Sequence, residues 1–450
     1  MQQIIFILLL AVVGYFSWKF YGRIVNNIKL GKPDDTPLNK ATAMNNMLLI
    51  AFGQKKMFKR WIPAIFHLFI YVAFLFTQIE LIEIIVDGVS GKHRVFASSL
   101  GGLYTLIIST IEVLSLLALI GTFIFLARRN LLKIPRFVKD DLNGWPKLDA
   151  NLILIGELLL VIGIFTMNGA DYVLQQLDPA HYPNTGNLPI SSWVGSNIFS
   201  GLDQGTLIML ERGGWWLHIL VVFGFILYLP FSKHLHIIFA FPNTYYSRQN
   251  SRGEMENMPA IMNEVKSMFG LTQQDSSGDM DELPTFGAND VMSLSWKSIL
   301  GAYTCTECGR CTDECPANKT GKKLSPRKIM MDVRDRADEI GKNIQINNLD
   351  CIDASSDQKN KLTKENYNDG KSLFDYITKE EIHACTSCNA CVEACPVMIN
   401  PLDIIFDLRR YEILTESTGP ADWTPMFTSL ENQGSVWQVP DARDAWKNDF

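Results

Sequence analysis

Five runs rich in Leu, Ile, Val and Phe constrain this chain more than any other feature: Ile4–Tyr21, Ile62–Val86, Leu100–Leu126, Leu152–Leu174 and Trp215–Phe241. Each is long enough to cross a bilayer as a helix, and the last overshoots the lipid. The first lacks a basic stretch before Ile4 and a small-residue cleavage site after it, so it reads as the first helix rather than a leader. Beyond about Phe241 the chain turns polar and charged, and it holds every one of the nine cysteines there. Two such unlike halves imply a membrane part and a soluble part. With a net charge of -6 and no Lys/Arg-rich block, the chain offers no concentrated basic face, which excludes a nucleic-acid partner.

Positive loops stay in the cytoplasm. Loop one (Gly22–Trp61) has Arg23, Lys29, Lys32, Lys40, Lys55, Lys56, Lys59 and Arg60, whereas loop two (Asp87–Ser99) has only Lys92 and Arg94. Loop three (Ala127–Ala150) is again basic, with six Lys or Arg, and loop four (Gln175–Gly214) has Arg212 alone. The expected topology is five spans in the inner membrane of a bacterium, the N-terminus outside and the cysteine-bearing domain inside. A reducing cytoplasm keeps thiols unpaired, so clustered cysteines there are read as ligands rather than disulfides.

Cys305, Cys308, Cys311 and Cys315, followed by Pro316, spell C-x2-C-x2-C-x3-C-P, and Cys385, Cys388, Cys391, Cys395 and Pro396 repeat it. Three thiolates at that spacing can wrap one face of a [4Fe-4S] cluster, while the fourth reaches the other cluster in two-cluster ferredoxins. Cluster one is thus expected to take Cys305, Cys308, Cys311 and Cys395, and cluster two Cys385, Cys388, Cys391 and Cys315. The competing reading is a pair of structural zinc sites, which use C-x2-C knuckles separated by a longer loop. Cys351, in the insert between the motifs, reads as a buried bystander. Ser325-Pro326 opens an amphipathic helix to Gly341, and Asn400-Pro401 with Asp403 opens another through Glu416, so each motif precedes a helix. The stretch Gln273–Asn289 reads as a flexible tether, and the insert Asn343–Asp375 takes no assigned role.

Four histidines sit in or at the ends of spans: His67 on helix two, and His218, His234 and His236 on helix five. Ionisable residues are expensive in lipid and mark functional sites. Haem b in membrane bundles is held by His pairs from different helices. On a continuous helix five, His218 and His236 share a face roughly 27 Å apart, and His234 points about 160° away. His67 and His236 lie at one depth near the inner surface and could face one iron. A second, outer haem would use His218, but Thr77 or Gln78 stands where its partner is needed. The bland alternatives are an interfacial basic cluster of Lys233, His234 and His236 facing lipid phosphates, and a hydrogen-bonded His218. His93 and His383 read as surface residues. Glu80 and Glu83 on helix two are candidates to accept protons from a quinol near the outer surface, with Glu112 and Glu157 as weaker ones. Bundle hydrogen bonding is the alternative for all four.

The first 240 or so residues, through His218 and His236 at the family's spacing, resemble the five-span cytochrome b of nitrate reductase gamma subunits and of the heterodisulfide reductase membrane subunit. Helix two keeps His67 but lacks the family's second histidine. From about Ser293 the chain is similar to the ferredoxin part of heterodisulfide reductase iron-sulfur subunits and their relatives in glycolate and glycerol-3-phosphate oxidation. Glu431-Asn432-Gln433-Gly434-Ser435-Val436-Trp437, with Arg443 and Trp446, looks like the segment leading into cysteine-rich CCG domains. The resemblance implies a separate partner chain bearing those motifs.

The expected architecture is all-α: a membrane domain (1–245), a linker with a short helix (246–292), a helical ferredoxin domain (293–416) and a docking tail (417–450). The expected function is electron transfer between the quinone pool and a soluble partner through haem b and two [4Fe-4S] clusters. A membrane scaffold with structural clusters and no haem is the alternative. A transporter would show internal repeats and interrupted helices that this chain lacks.

Overall fold

A computed structural model describes residues 2–34, 36–251, 253–255, 257–271, 285–437 and 445–448. The protein is all-α, with no β-strand among the described residues. Five helices are long and apolar enough to span a membrane: α1 (Gln2–Ile28), α2 (Trp61–Ser90), α3 (Gly102–Asn130), α4 (Trp145–Leu177) and α5 (Gln204–Tyr228). Helices α4 and α5 pack closest because glycine faces glycine. A Cβ on Gly214 would come within 2.7 Å of the Gly163 carbonyl oxygen, so only small residues permit this crossing.

The fifth span departs from expectation. It begins at Gln204 rather than Trp215, and it ends at Tyr228 instead of running to Phe241. Leu229–Phe231 forms a 3-10 turn with Pro230 inside it, Ser232 is extended, and a new helix α6 (His236–Tyr245) follows. Proline cannot supply the N–H a continuing helix needs. Asp149 of α4 then fastens the break, accepting hydrogen bonds from the hydroxyls of Tyr228 and Ser232 and from the Lys233 N–H. His218 and His236 therefore do not share one helix face. At the other end of the span, Glu211 and Arg212, read as loop, form an ion pair on α5 with Glu211 fully buried.

Loop two is folded inward. Arg94 is buried and donates to Asp171, Tyr104 and Asn168, while His93, expected at the surface, bonds Asp171 at 2.9 Å. Asp171 and Asn168 come from α4, more than seventy residues away, which local sequence could not reveal.

The C-terminal domain is built on α7 (Trp296–Thr304), α8 (Arg310–Glu314), α9 (Pro326–Gln345), α10 (Ala390–Ala394) and α11 (Pro401–Arg410). Ser325 caps α9 ahead of Pro326, and Asn400 caps α11 ahead of Pro401, as the sequence implied. Along α9, Ile329, Val333, Ala337 and Ile340 form a fully buried stripe at helical spacing. Each large aliphatic so buried contributes about 1.5–3 kcal/mol. The insert packs against this helix: Arg336, fully buried, is gripped by Asp290 (2.7 Å) and Asp369 (2.6 Å). Most of the expected tether, residues 273–284, lies outside the described residues, but its far end is not flexible: Ala288, within it, and Val291, just beyond it, are buried in the core. Cys351 is buried there too, accepting a weak hydrogen bond from Asn348.

The two halves meet end to end. Asn27, at the inner end of α1, bonds Tyr303 and Asp338, and Arg60 bonds Asp313 (2.6 Å) and Glu314 (2.7 Å). Loop three joins in, with Asp141 paired to the fully buried Arg327. Both basic loops thus lie on the cluster-domain side of the bundle.

Candidate redox centres

The two motifs adopt matching backbones. Glu307 and Gly309 in the first, and Ser387 and Asn389 in the second, all have positive φ, between 53° and 70°. Alternating left-handed residues curl a loop so that its side chains and N–H groups converge inward, and this spaces the three leading cysteines of each motif around one point. The third cysteine of each motif lies in a short helix, Cys311 in α8 and Cys391 in α10, and these two helices pack together. The fourth cysteine of each motif is thereby carried across to the other.

The consequence is visible in the walls of a small cavity. It is lined by Cys305, Cys308 and Cys311 of the first motif and by Cys395 of the second. Cys315 in turn lies within electrostatic reach of Cys385 and Cys391. No three His, Cys, Asp or Glu side chains among the described residues converge closely enough to hold a single metal ion. Burial, reinforced by neighbouring thiols, pushes Cys305 and Cys391 up to about 12 and Cys395 up to about 11. Such thiols become thiolates together only when the charge of a bound metal compensates them, so the set fits a metal centre, a cluster among them.

Glu307, between Cys305 and Cys308, ties this loop to the membrane half. It pairs with Lys233, which also donates to the Pro146 carbonyl, and with Arg334 at 2.8 Å. Burial works against the Glu307 charge, but these two cations outweigh it and hold its carboxyl below the usual range. Lys233 is buried, so the interfacial reading in which it faces lipid phosphates does not hold.

A second, larger cavity of about 380 Å³ lies between the bundle and the cluster domain. His67 and His236 stand on its wall with ring centroids 6.5 Å apart. Metal–imidazole bonds run about 2.0–2.1 Å, which places two rings sharing one metal roughly 6 Å apart. Each ring is anchored through Nδ1, His67 to the Gln54 side-chain oxygen and His236 to the Lys233 carbonyl, both at 3.1 Å. Donation from Nδ1 leaves Nε2 as the lone-pair nitrogen, the arrangement of a ligating histidine. Because the helix breaks, His234 lines this same cavity instead of pointing away, its ring 5.6 Å from that of His236 and its Nδ1 without a partner among the described residues. Arg128, Arg129, Arg136 and Glu157 complete much of the polar wall, and Cys308 reaches it from the cluster domain. The residues present fit a bis-histidine haem.

His218 stands apart from that cavity, buried against α4, with Nδ1 3.2 Å from the Leu160 carbonyl. Thr77 and Gln78, at the position facing it in expectation, bond the Phe74 carbonyl of their own helix. Glu83 is fully engaged by Tyr104 and the Phe96 N–H, and Glu112 by Ile190 and Ser191. One oxygen of Glu80 has no partner among the described residues. His383 is not a surface residue: its Nε2 lies 2.6 Å from Glu412 and its ring packs on Trp423.

Gln54, Arg129, Arg136 and the Lys233–Glu307 pair escaped the sequence reading. Gln54 carried no local signal, and basic residues at a span's inner end look like ordinary topology determinants.

Comparison with known proteins matches a 4Fe-4S dicluster domain over residues 304–399. The chain is 28% identical over 462 residues to "Probable iron-sulfur-binding oxidoreductase FadF" of Bacillus subtilis, covering 98% of this chain and 61% of the relative. It is 23% identical to "EtfAB:quinone oxidoreductase" of Syntrophomonas wolfei, covering 97% of this chain and 58% of the relative. Over 43% of its length it is 30% identical to "Probable membrane-anchored ferredoxin" of Chromohalobacter salexigens, of which 29% is covered. The chain spans about three fifths of the length of the first two relatives. No solved structure matches it. The chain is therefore a membrane protein similar to iron-sulfur oxidoreductases, with a 4Fe-4S dicluster domain in its C-terminal half.

Proposed function

We propose that this chain passes electrons between a quinone in the membrane and a soluble redox partner, through a haem b held by His67 and His236 and two [4Fe-4S] clusters. Cluster one takes Cys305, Cys308, Cys311 and Cys395, and cluster two takes Cys385, Cys388, Cys391 and Cys315. When bound, these groups supply reversible one-electron chemistry. The protein's own residues hold them in line. Cys308 belongs both to the cluster-one cavity and to the wall of the histidine cavity, and this shared wall is the observation that carries the reading. The absence of a compact single-metal grouping among the described residues favours clusters over zinc.

The quinone link rests on the similarity to a relative named as a quinone oxidoreductase and on five spans. Both basic loops lie beside the cluster domain, which supports a cytoplasmic position for that domain in a bacterial inner membrane, with the N-terminus outside. The membrane half works in the manner of a nitrate reductase gamma-type cytochrome b. A partner bearing CCG motifs docks on the tail, where Phe427, Leu430, Trp437 and Trp446 are exposed.

Spectra of the purified chain with and without dithionite test this reading. A sharp reducible b-type band, lost in His67→Ala and in His236→Ala but kept in His234→Ala, is expected. Cys395→Ser should deplete the cluster of the first motif despite lying in the second. A wild-type spectrum of iron-sulfur bleaching alone removes the haem from the scheme.

A further inference from the structure

Buried donors without partners mark where a ligand acceptor belongs. Among the described residues, Nη1 of Arg129, Nε of Arg136 and the Tyr71 hydroxyl are buried and unbonded, and all three side chains line the histidine cavity. Arg136 is only 8% exposed, and its nearest carboxylate, Asp313, is 4.0 Å away from Nη1. Phe137 sits between the two guanidinium groups, with centroid distances of 5.0 Å to Arg129 and 4.9 Å to Arg136. That ring braces both cations without satisfying their N–H groups. Glu157, the carboxylate on the cavity wall, is on α4 seven residues further into the membrane than Ala150, whereas Arg129 stands in the last turn of α3 and Arg136 in loop three, beside the cluster domain.

Two cations with unfilled donors on one wall, facing a space flanked by two anchored histidines, call for an anion carried by the cavity's occupant. Guanidinium groups are suited to carboxylates because their forked donors bond them in a plane. We propose that Arg129 and Arg136 are the binding residues for the two propionate carboxylates of the haem. This rests on the haem reading given above and extends it from the iron ligands to the periphery of the ring. Arg128, on the same wall, and Tyr71, one turn deeper than His67, are left outside the assignment.

The test uses the full chain in detergent, stripped of haem and reconstituted with haem b or with its dimethyl ester, which has the same iron and ring but no carboxylate charge. Wild type should retain haem b at least about tenfold more tightly than the ester, as expected for charge-assisted hydrogen bonds. Arg129→Gln/Arg136→Gln should bind the two forms equally, with its iron-sulfur absorption unchanged as the sign of an intact fold. A double variant that still prefers haem b tenfold overturns the assignment while leaving the haem itself in place. A wild-type chain that takes up neither form overturns the haem reading, and this inference with it. Should the Gln pair be unstable, Arg129→Lys/Arg136→Lys serves instead: it keeps charge but loses the forked geometry, and a partial loss of preference is expected.

Discussion

A histidine in a bundle becomes a haem ligand only when something else holds its other nitrogen. Gln54 and the Lys233 carbonyl hold Nδ1 of His67 and His236, the two ligands proposed for the haem. Gln54 has φ of 50°, a left-handed conformation that costs strain outside glycine and persists where the surroundings impose it. Replacing it, Gln54→Leu, is expected to weaken haem retention about 10–100-fold, the usual effect of removing an outer partner, read as haem per chain after dilution in detergent. Arg336 is the counterpart in the cluster domain. Arg336→Met strands Asp290 and Asp369 and should cost about 3–5 kcal/mol, as for any buried pair broken on one side, seen as a lower urea midpoint. Burial opposes the Asp369 charge, but hydrogen bonds from Arg336 and Tyr367 overcome it and hold the carboxyl at about 2. Because this value lies below the ordinary one of 3.8, the stabilisation is present above about pH 4 and fades as pH falls toward 2. The difference in urea midpoint between wild type and Asp369→Asn should therefore be full near neutrality and shrink through that window.

The broken fifth span shows how an element can shape a cavity by stopping. Pro230 hints at the interruption, but the residue that fixes its geometry is Asp149, on another helix and far away in sequence. Asp149→Ala removes the acceptor of three hydrogen bonds, each worth about 1.5–3 kcal/mol when the acceptor is charged. His236 should lose its place, so the b-type band should shrink while non-haem iron and sulfide content stay constant. Hydropathy located the spans because burying a helix in lipid takes a long apolar run, and capping residues located α9 and α11. Hydropathy could not place the end of α5, since the apolar run continues through Phe241 after the helix has stopped. For the same reason His234, which points away on a straight helix, faces the cavity in the broken one.

At the scale of the molecule, cysteine spacing was the most legible feature, because a repeated motif states its own ligand number. What it left unread was docking. His93 and His383 read as surface residues from their neighbours in sequence, and Arg94 as a loop charge, yet each finds an acid on a distant element. Arg60 with Asp313 and Glu314 is a further long-range contact, partly exposed. Such pairs contribute about 0–1 kcal/mol, so Arg60→Glu should leave stability and both spectra nearly intact. On the proposed electron path, passage from haem to cluster should nevertheless slow in stopped-flow reduction, because like charges now oppose the seating of the two halves, and added salt should partly restore it.

The histidine cavity is walled by spans, by loops one and three and by α6, and roofed by Cys308, Arg310, Pro396 and Val397. Those roof residues leave the ribosome after every span has been made. The bowl is consequently open while the newborn chain is still growing and becomes covered once the late half has folded over it. A bulky pigment would have its easiest entry in that interval, and the finished protein would hold it beneath a lid assembled last.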